Sequence, residues 1–178
     1  MRFLGRLLGA LVILVAVLVA VAFVLPREVV VTRTAMIGAP PEAVFPHINS
    51  LQASQAWSPW NARDPDMVQV FEGPEMGVGN KMIWTSDQRN VGNGSQEITA
   101  SVENERVVTA LDFGPQGTAE AWLALVPTSD GTEVTWGLRT DMGMNPVGRW
   151  MGLFFDSMMG PDYEAGLGML KDVVETDR

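Results

Sequence analysis

The chain has no cysteine, a single histidine at His47, and lysine only at Lys81 and Lys171. Without thiols it carries no disulfide and no thiol redox centre, and with one histidine it cannot assemble a zinc site of the usual Cys/His kinds. The absence of cysteine neither requires nor forbids an oxidising compartment. Basic residues are scattered singly, which excludes the clustered Lys/Arg surface that a phosphate backbone demands, so no nucleic-acid partner is expected. No Gly-x-Ser-x-Gly elbow offers a serine nucleophile. Gly77-Val78-Gly79-Asn80-Lys81 has the glycine density of a phosphate loop without its spacing and lies between strands, so it reads as a turn. Asp64-Pro65-Asp66 lacks the oxygen-ligand spacing of a calcium loop and reads the same way. No cofactor is expected.

What the chain does have is an uninterrupted apolar or small run, Leu7 to Leu25, preceded by Arg2 and Arg6 and closed by Pro26. Nineteen residues at 1.5 Å each cover about 28 Å, close to the hydrocarbon thickness of a bilayer. Residues 1–26 are expected to form one membrane-spanning anchor and residues 27–178 a single domain. Ala20-Val21-Ala22 has the form of a signal-peptidase site, which leaves a second reading: a cleaved leader with the mature chain beginning at Phe23. Arg2 and Arg6 on one side, against Arg27 and Arg33 with Glu28 on the other, place the N-terminus inside. The domain is then expected on the periplasmic or extracytoplasmic side of a cell membrane, crossed once. With two of the twelve basic residues before the anchor, the domain carries ten against 21 acidic residues, a formal charge of −11. That disfavours adhesion to anionic headgroups.

Within the domain, Glu28–Ile37 reads as a strand, and Gly38-Ala39-Pro40-Pro41 opens a helix from Glu42 to Leu51, in which Pro46 imposes either a kink or a very short first helix. A helical turn over residues 51–56 meets the loop Trp57-Ser58-Pro59-Trp60. Six alternating strands follow, at residues 67–72, 79–86, 95–103, 106–113, 117–127 and 131–142, separated by glycine-rich and Asn/Asp turns of hairpin length. In the last strand Thr132, Val134, Trp136 and Leu138 alternate with Glu133, Thr135 and Arg139, which requires one dry sheet face and a cover for it. Asn145-Pro146 starts that cover, apolar nearly all round to Met159. Gly160-Pro161-Asp162 is expected to start a second helix with a Tyr163, Leu167, Leu170, Val174 stripe. Gly166 and Gly168 within it suggest close packing or room for a bound molecule.

Strand, two short helices, six antiparallel strands and a long C-terminal helix is an α+β order. With Ile37-Gly38-Ala39-Pro40-Pro41-Glu42-Ala43-Val44-Phe45, Trp57-Ser58-Pro59-Trp60, Val134-Thr135-Trp136 and Gly160-Pro161-Asp162-Tyr163-Glu164, the domain resembles the SRPBCC superfamily, the START-like polyketide cyclase/dehydrase group. The resemblance covers about Val29 to Val174. It implies a helix-grip fold, a seven-stranded antiparallel sheet curved around the C-terminal helix with an apolar cavity between them, and functions from lipid transfer to polyketide cyclisation.

Eleven methionines and six tryptophans suit a cavity that adapts to an apolar guest. Trp60, Met82, Trp84, Trp136 and Leu138 are expected to line it from the sheet side. From the C-terminal helix the expected lining is Met151, Phe154, Phe155, Met158, Met159 and Tyr163, with Trp150–Met159 as the mouth. The same residues serve equally as plain core. The expected partner is a hydrophobic small molecule or lipid, and no residue is assigned a catalytic role. His47, Glu97 and Asp112 are the candidates for an acid or base, and alternation places Glu97 and Asp112 on the wet face. Trp122 falls outside the sheet beside Glu120, where a partner surface is the alternative to plain packing.

Overall fold

The computed structural model describes residues 2–176; Asp177 and Arg178 at the end of the expected domain lie outside the described residues. Helix α1, Arg2–Ala22, carries the apolar run, and Phe3–Ala22 is long and apolar enough to cross a membrane. It stops three residues before the run does, because the N–H groups of Phe23, Val24 and Leu25 turn back onto the carbonyls of Ala20, Val21 and Ala22. After the five residues Phe23 to Arg27, β1 begins, Glu28–Ile37. Arg27 grips Asp141 through two hydrogen bonds of 2.6 Å, which holds the Asp141 carboxyl down at about 2 and fixes where the sheet starts.

Helix α2, Pro41–Ile48, continues through Pro46 for a total of eight residues. A 3-10 turn at Ala53–Ala56 follows, and then, where the sequence predicts a loop, a short helix: α3, Pro59–Arg63, capped by Ser58, whose side chain accepts from the Asn61 N–H. Six strands complete the sheet: β2 Val68–Glu72, β3 Lys81–Thr85, β4 Gly94–Val102, β5 Arg106–Asp112, β6 Thr118–Thr128 and β7 Gly131–Asp141. The strand expected from Gly79 starts only at Lys81, because Gly73, Gly77 and Gly79 take positive φ and make residues 73–80 a loop.

All neighbours are antiparallel, in the order β1-β7-β6-β5-β4-β3-β2, so a meander of six is closed by the first strand on its far edge. The register pairs Val31 with Leu138, Arg33 with Trp136 and Ala35 with Val134. Across the sheet Ala121 opposes Leu138, Thr109 opposes Ala121 and Ile98 opposes Thr109. These positions form the inner face. The core lies between it and the helices, with Ile37, Val44, Ile98, Val107, Val134, Tyr163, Leu167 and Leu170 wholly buried.

The cover departs from expectation in one respect. Pro146–Thr176 is a single helix, α4, of 31 residues that passes through Pro161 without a second start. It runs the length of edge strand β1: a Cβ at Gly152 would meet Val29, one at Gly160 would meet Arg33, and Glu175 accepts from the Gly38 N–H at 2.8 Å. Helix α2 covers the end of the sheet where β6 meets β7, and the first half of α4 lies over the start of β1, beside α1.

Candidate functional site

Four aromatic rings fill the space under the second half of α4. Trp136 stacks on Tyr163 with centroids 4.1 Å apart and planes 11° from parallel. Trp57 and Trp60 meet Trp136 edge-on at 5.2 and 5.8 Å. The Trp57 indole donates to the His47 carbonyl, and Arg63 grips the buried Asp162 carboxylate, so α2, α3 and α4 are fastened around this cluster. Burial raises the Tyr163 phenol above its ordinary range. Gly166 is explained here: a Cβ would lie 2.6 Å from the Trp136 ring. Close packing, not room, is its role, and Gly168 faces open space with nothing in the structure requiring glycine.

Toward the end of the sheet beside α1 the two layers close less completely. On the inner face Gln96, Leu111, Phe113, Ala119 and Thr140 are only half-buried, and so are Phe155 and Met159 on α4. Trp84 and Met82 floor this region, with Phe113 edge-on to Trp84 at 5.9 Å. Its polar groups are neutral: Gln96 donates to the Thr109 hydroxyl at 3.1 Å, and Gln69 donates to Gln55 at 2.8 Å. Half-buried apolar side chains interleaved with uncharged donors and acceptors suit an amphipathic molecule better than an ion.

One charged residue shares the inner face. Arg33 lies across Gly160, holding Asp156 through two bonds of 2.8 and 3.0 Å and Glu164 through one of 2.7 Å. Those carboxylates stand one turn before and one turn after Gly160. The guanidinium therefore bridges the turn that Pro161 deprives of a backbone hydrogen bond, which is why α4 stays one helix. The pairing raises the Arg33 pKa and lowers that of Asp156, chiefly through their shared hydrogen bonds. Arg33→Leu is expected to speed amide exchange over residues 153–160 about tenfold while leaving residues 167–174 unchanged. Equal acceleration along the whole helix would show that no local staple exists.

The expected lining residues divide into two sets. Met82, Trp84, Trp136, Leu138 and Tyr163 are buried on the inner side, with Trp60, Phe155 and Met159 half-buried beside them. Met151, Phe154 and Met158 depart from expectation: they project from the far side of α4 and are exposed. The face turned to β1 follows the phase of Gly152, Phe155, Met159 and Tyr163, and the other three lie off that phase. Arg33, Gln96, Thr109 and Trp57 were missed. Arg33 shares the parity of Val31, Ala35 and Ile37, a signal that places it inward.

Glu97 and Asp112 are exposed on the outer face, as alternation predicts, and His47 sits on α2 at the opposite end of the sheet. Asp64 accepts from the Asp66 N–H and the Ser86 hydroxyl, so its segment is a turn. Among the described residues no cluster of His, Asp and Glu is arranged to hold a metal ion. Trp122 is on the outer face yet packed: Gly137 lies beneath its ring, and the Arg106 guanidinium sits 5.8 Å from its centroid. A shallow groove of about 570 Å³ on that face is rimmed by Glu28, Glu97, Asp112, Glu120 and Asp141 with Lys81 and Arg139. Asp141 and Glu120 are already bonded to Arg27 and Arg139.

Several solved structures share this architecture. A Mesorhizobium loti protein is 19% identical, with 85% of this chain and 99% of that one covered at a TM-score of 0.57. A Staphylococcus aureus protein of unknown function is 16% identical, with 84% and 95% covered at 0.62. The di-domain ARO/CYC StfQ from the steffimycin biosynthetic pathway is 10% identical, with 85% of this chain and 52% of that one covered at 0.64. At these identities the likeness is one of fold. No curated protein sequence matches the chain. Residues 28–175 match the family model described as polyketide cyclase / dehydrase and lipid transport.

Proposed function

The chain belongs to the polyketide cyclase / dehydrase and lipid transport family, and from that premise we propose that it binds a hydrophobic or amphipathic small molecule, a lipid by preference, without transforming it. The observation that carries this reading is the incomplete closure at the anchor end, where Leu111, Phe113 and Ala119 on the sheet and Phe155 and Met159 on α4 are half-buried around neutral polar groups. The candidate acids Glu97 and Asp112 lie on the other face of the sheet, which supports binding over proton transfer.

Helix α1 serves as a retained membrane anchor in this reading. Two contacts support retention over cleavage after Ala22. Ala22 is wholly buried, and the Trp150 indole donates to the Leu18 carbonyl; cleavage would remove both. Tethering raises the local concentration of a membrane-dissolved ligand, so a modest intrinsic affinity gives useful occupancy.

Native mass spectrometry of the full chain released from detergent micelles tests the proposal. A reproducible adduct of lipid mass is expected, lost in Ala119→Trp, which fills the gap, and retained in Val126→Trp on the exposed outer face. A chain that stays free of adduct after incubation with a total lipid extract overturns it.

A further inference from the structure

The first half of α4 has the wrong surface for a water-facing helix. Its exposed positions between Pro146 and Met159 are Val147, Met151, Leu153, Phe154, Asp156, Ser157 and Met158. Five of these seven are large and apolar, where a solvated helix places charge. Val147, Met151, Phe154 and Met158, exposed by 68, 47, 59 and 55%, recur at i, i+4, i+7 and i+11 as one stripe. The two charged side chains of the segment are engaged elsewhere: Arg149 on the carbonyls of Phe23, Leu25 and Gly143, and Asp156 on Arg33.

What covers the stripe is indicated by its continuity with α1. The Trp150 indole donates to the Leu18 carbonyl at 3.1 Å, and Val15, Leu18 and Val19 face Pro146, Val147 and Trp150 across a wholly apolar groove of about 330 Å³. Leu18 lies four residues, and Val15 seven, from the end of α1 at Ala22. At 1.5 Å per residue the start of α4 therefore sits roughly 6–10 Å below the point where α1 ends. That is the depth at which an interfacial helix buries its apolar side.

We propose that the first half of α4 lies in the surface of the same bilayer that α1 spans, with the Val147–Met151–Phe154–Met158 stripe among the lipid chains. The inference rests on the reading of α1 as an anchor. The absence of charge on the stripe and the net charge of the domain fit a zwitterionic lipid surface, not an anionic one. With the stripe in place, the half-closed gap beside Phe155 and Met159 opens onto the membrane, and a lipid reaches it without crossing water.

The cysteine-free sequence makes the test direct. Single cysteines at Phe154, Met158, Val126 and Leu11 of the full chain are labelled with an environment-sensitive fluorophore in phosphatidylcholine nanodiscs holding one copy each. Quenching by a lipid bearing a nitroxide near its headgroup is expected to be about threefold or more greater at 154 and 158 than at 126. Labels at 154 and 158 that behave like the one at 126 overturn the proposal, provided the label at 11 is shielded from water as an anchor requires. A label at 11 exposed to water indicates instead that the anchor reading has failed, and the proposal falls with it. Shielding of 154 and 158 only in discs holding two copies overturns it in favour of a contact between two chains.

Discussion

Trp136→Ala is expected to destabilise the domain by about 3–5 kcal/mol, the range for deleting a large aromatic from a close-packed core. The Trp136 ring stacks on Tyr163 and receives Trp57 and Trp60 on its edges, so its removal unseats contacts from β7, α3 and α4 together. Gly166, which has no side chain because the Trp136 ring occupies that space, would face a void that a helix backbone cannot close. Thermal unfolding of the full chain in nanodiscs, followed by near-ultraviolet circular dichroism, should show Tm falling by roughly 10 °C. A fall of only a degree or two would mean that the four rings do not act as one packed unit.

Asn80→Ala is expected to cost about 2–4 kcal/mol for a different reason. Asn80 is 2% exposed, accepts from the Leu51 N–H at 2.7 Å and donates to the Pro74 carbonyl at 2.7 Å. Alanine leaves the buried Leu51 N–H unpaired, worth about 1–3 kcal/mol, and takes the donor from the part-buried Pro74 carbonyl as well. The same side chain joins the loop before β3 to the segment that carries Gln55 and Trp57, so the loss would propagate to the floor of the gap. The denaturation midpoint should fall with an unchanged slope, and the Leu51 amide should lose its protection from exchange. A Leu51 amide that stays protected would contradict this account.

The strands were legible because their physics is local. Alternation and turn residues located all seven to within two residues, and the parity of β7 identified Trp136 and Leu138 as inward. Tertiary structure decided what the pattern did not. Pro161 reads as a break in an isolated helix, whereas Arg33, 128 residues earlier in the chain, bridges that turn by holding Asp156 and Glu164. Breaking the helix there discarded its phase. Carried backward from Val174 through Leu170, Leu167 and Tyr163, that phase leads to Met159, Phe155 and Gly152 on the inward side and leaves Met151, Phe154 and Met158 outside. A segment apolar on every side offers no phase of its own. Arg33 was missed for the opposite reason: its charge reads as outward, although its parity with Val31 and Ala35 does not. The helix α3 was too short for periodicity to show, and its Ser58-Pro59 start is the same kind of signal that Asn145-Pro146 supplies for α4.

The shortness of the segment between α1 and β1 limits the range over which this molecule can act. Phe23 to Arg27 is five residues, a reach of at most roughly 18 Å even if drawn straight. It is not straight, since its first residues are wound into a turn and Arg149 clasps its carbonyls. With α1 embedded, the domain has no freedom to travel to a facing membrane or across a compartment. Under the proposed reading its encounters would be confined to lateral diffusion in the membrane that holds α1, and a bound molecule would be collected from and surrendered to that membrane. Onward movement then depends on an acceptor that itself arrives at the surface.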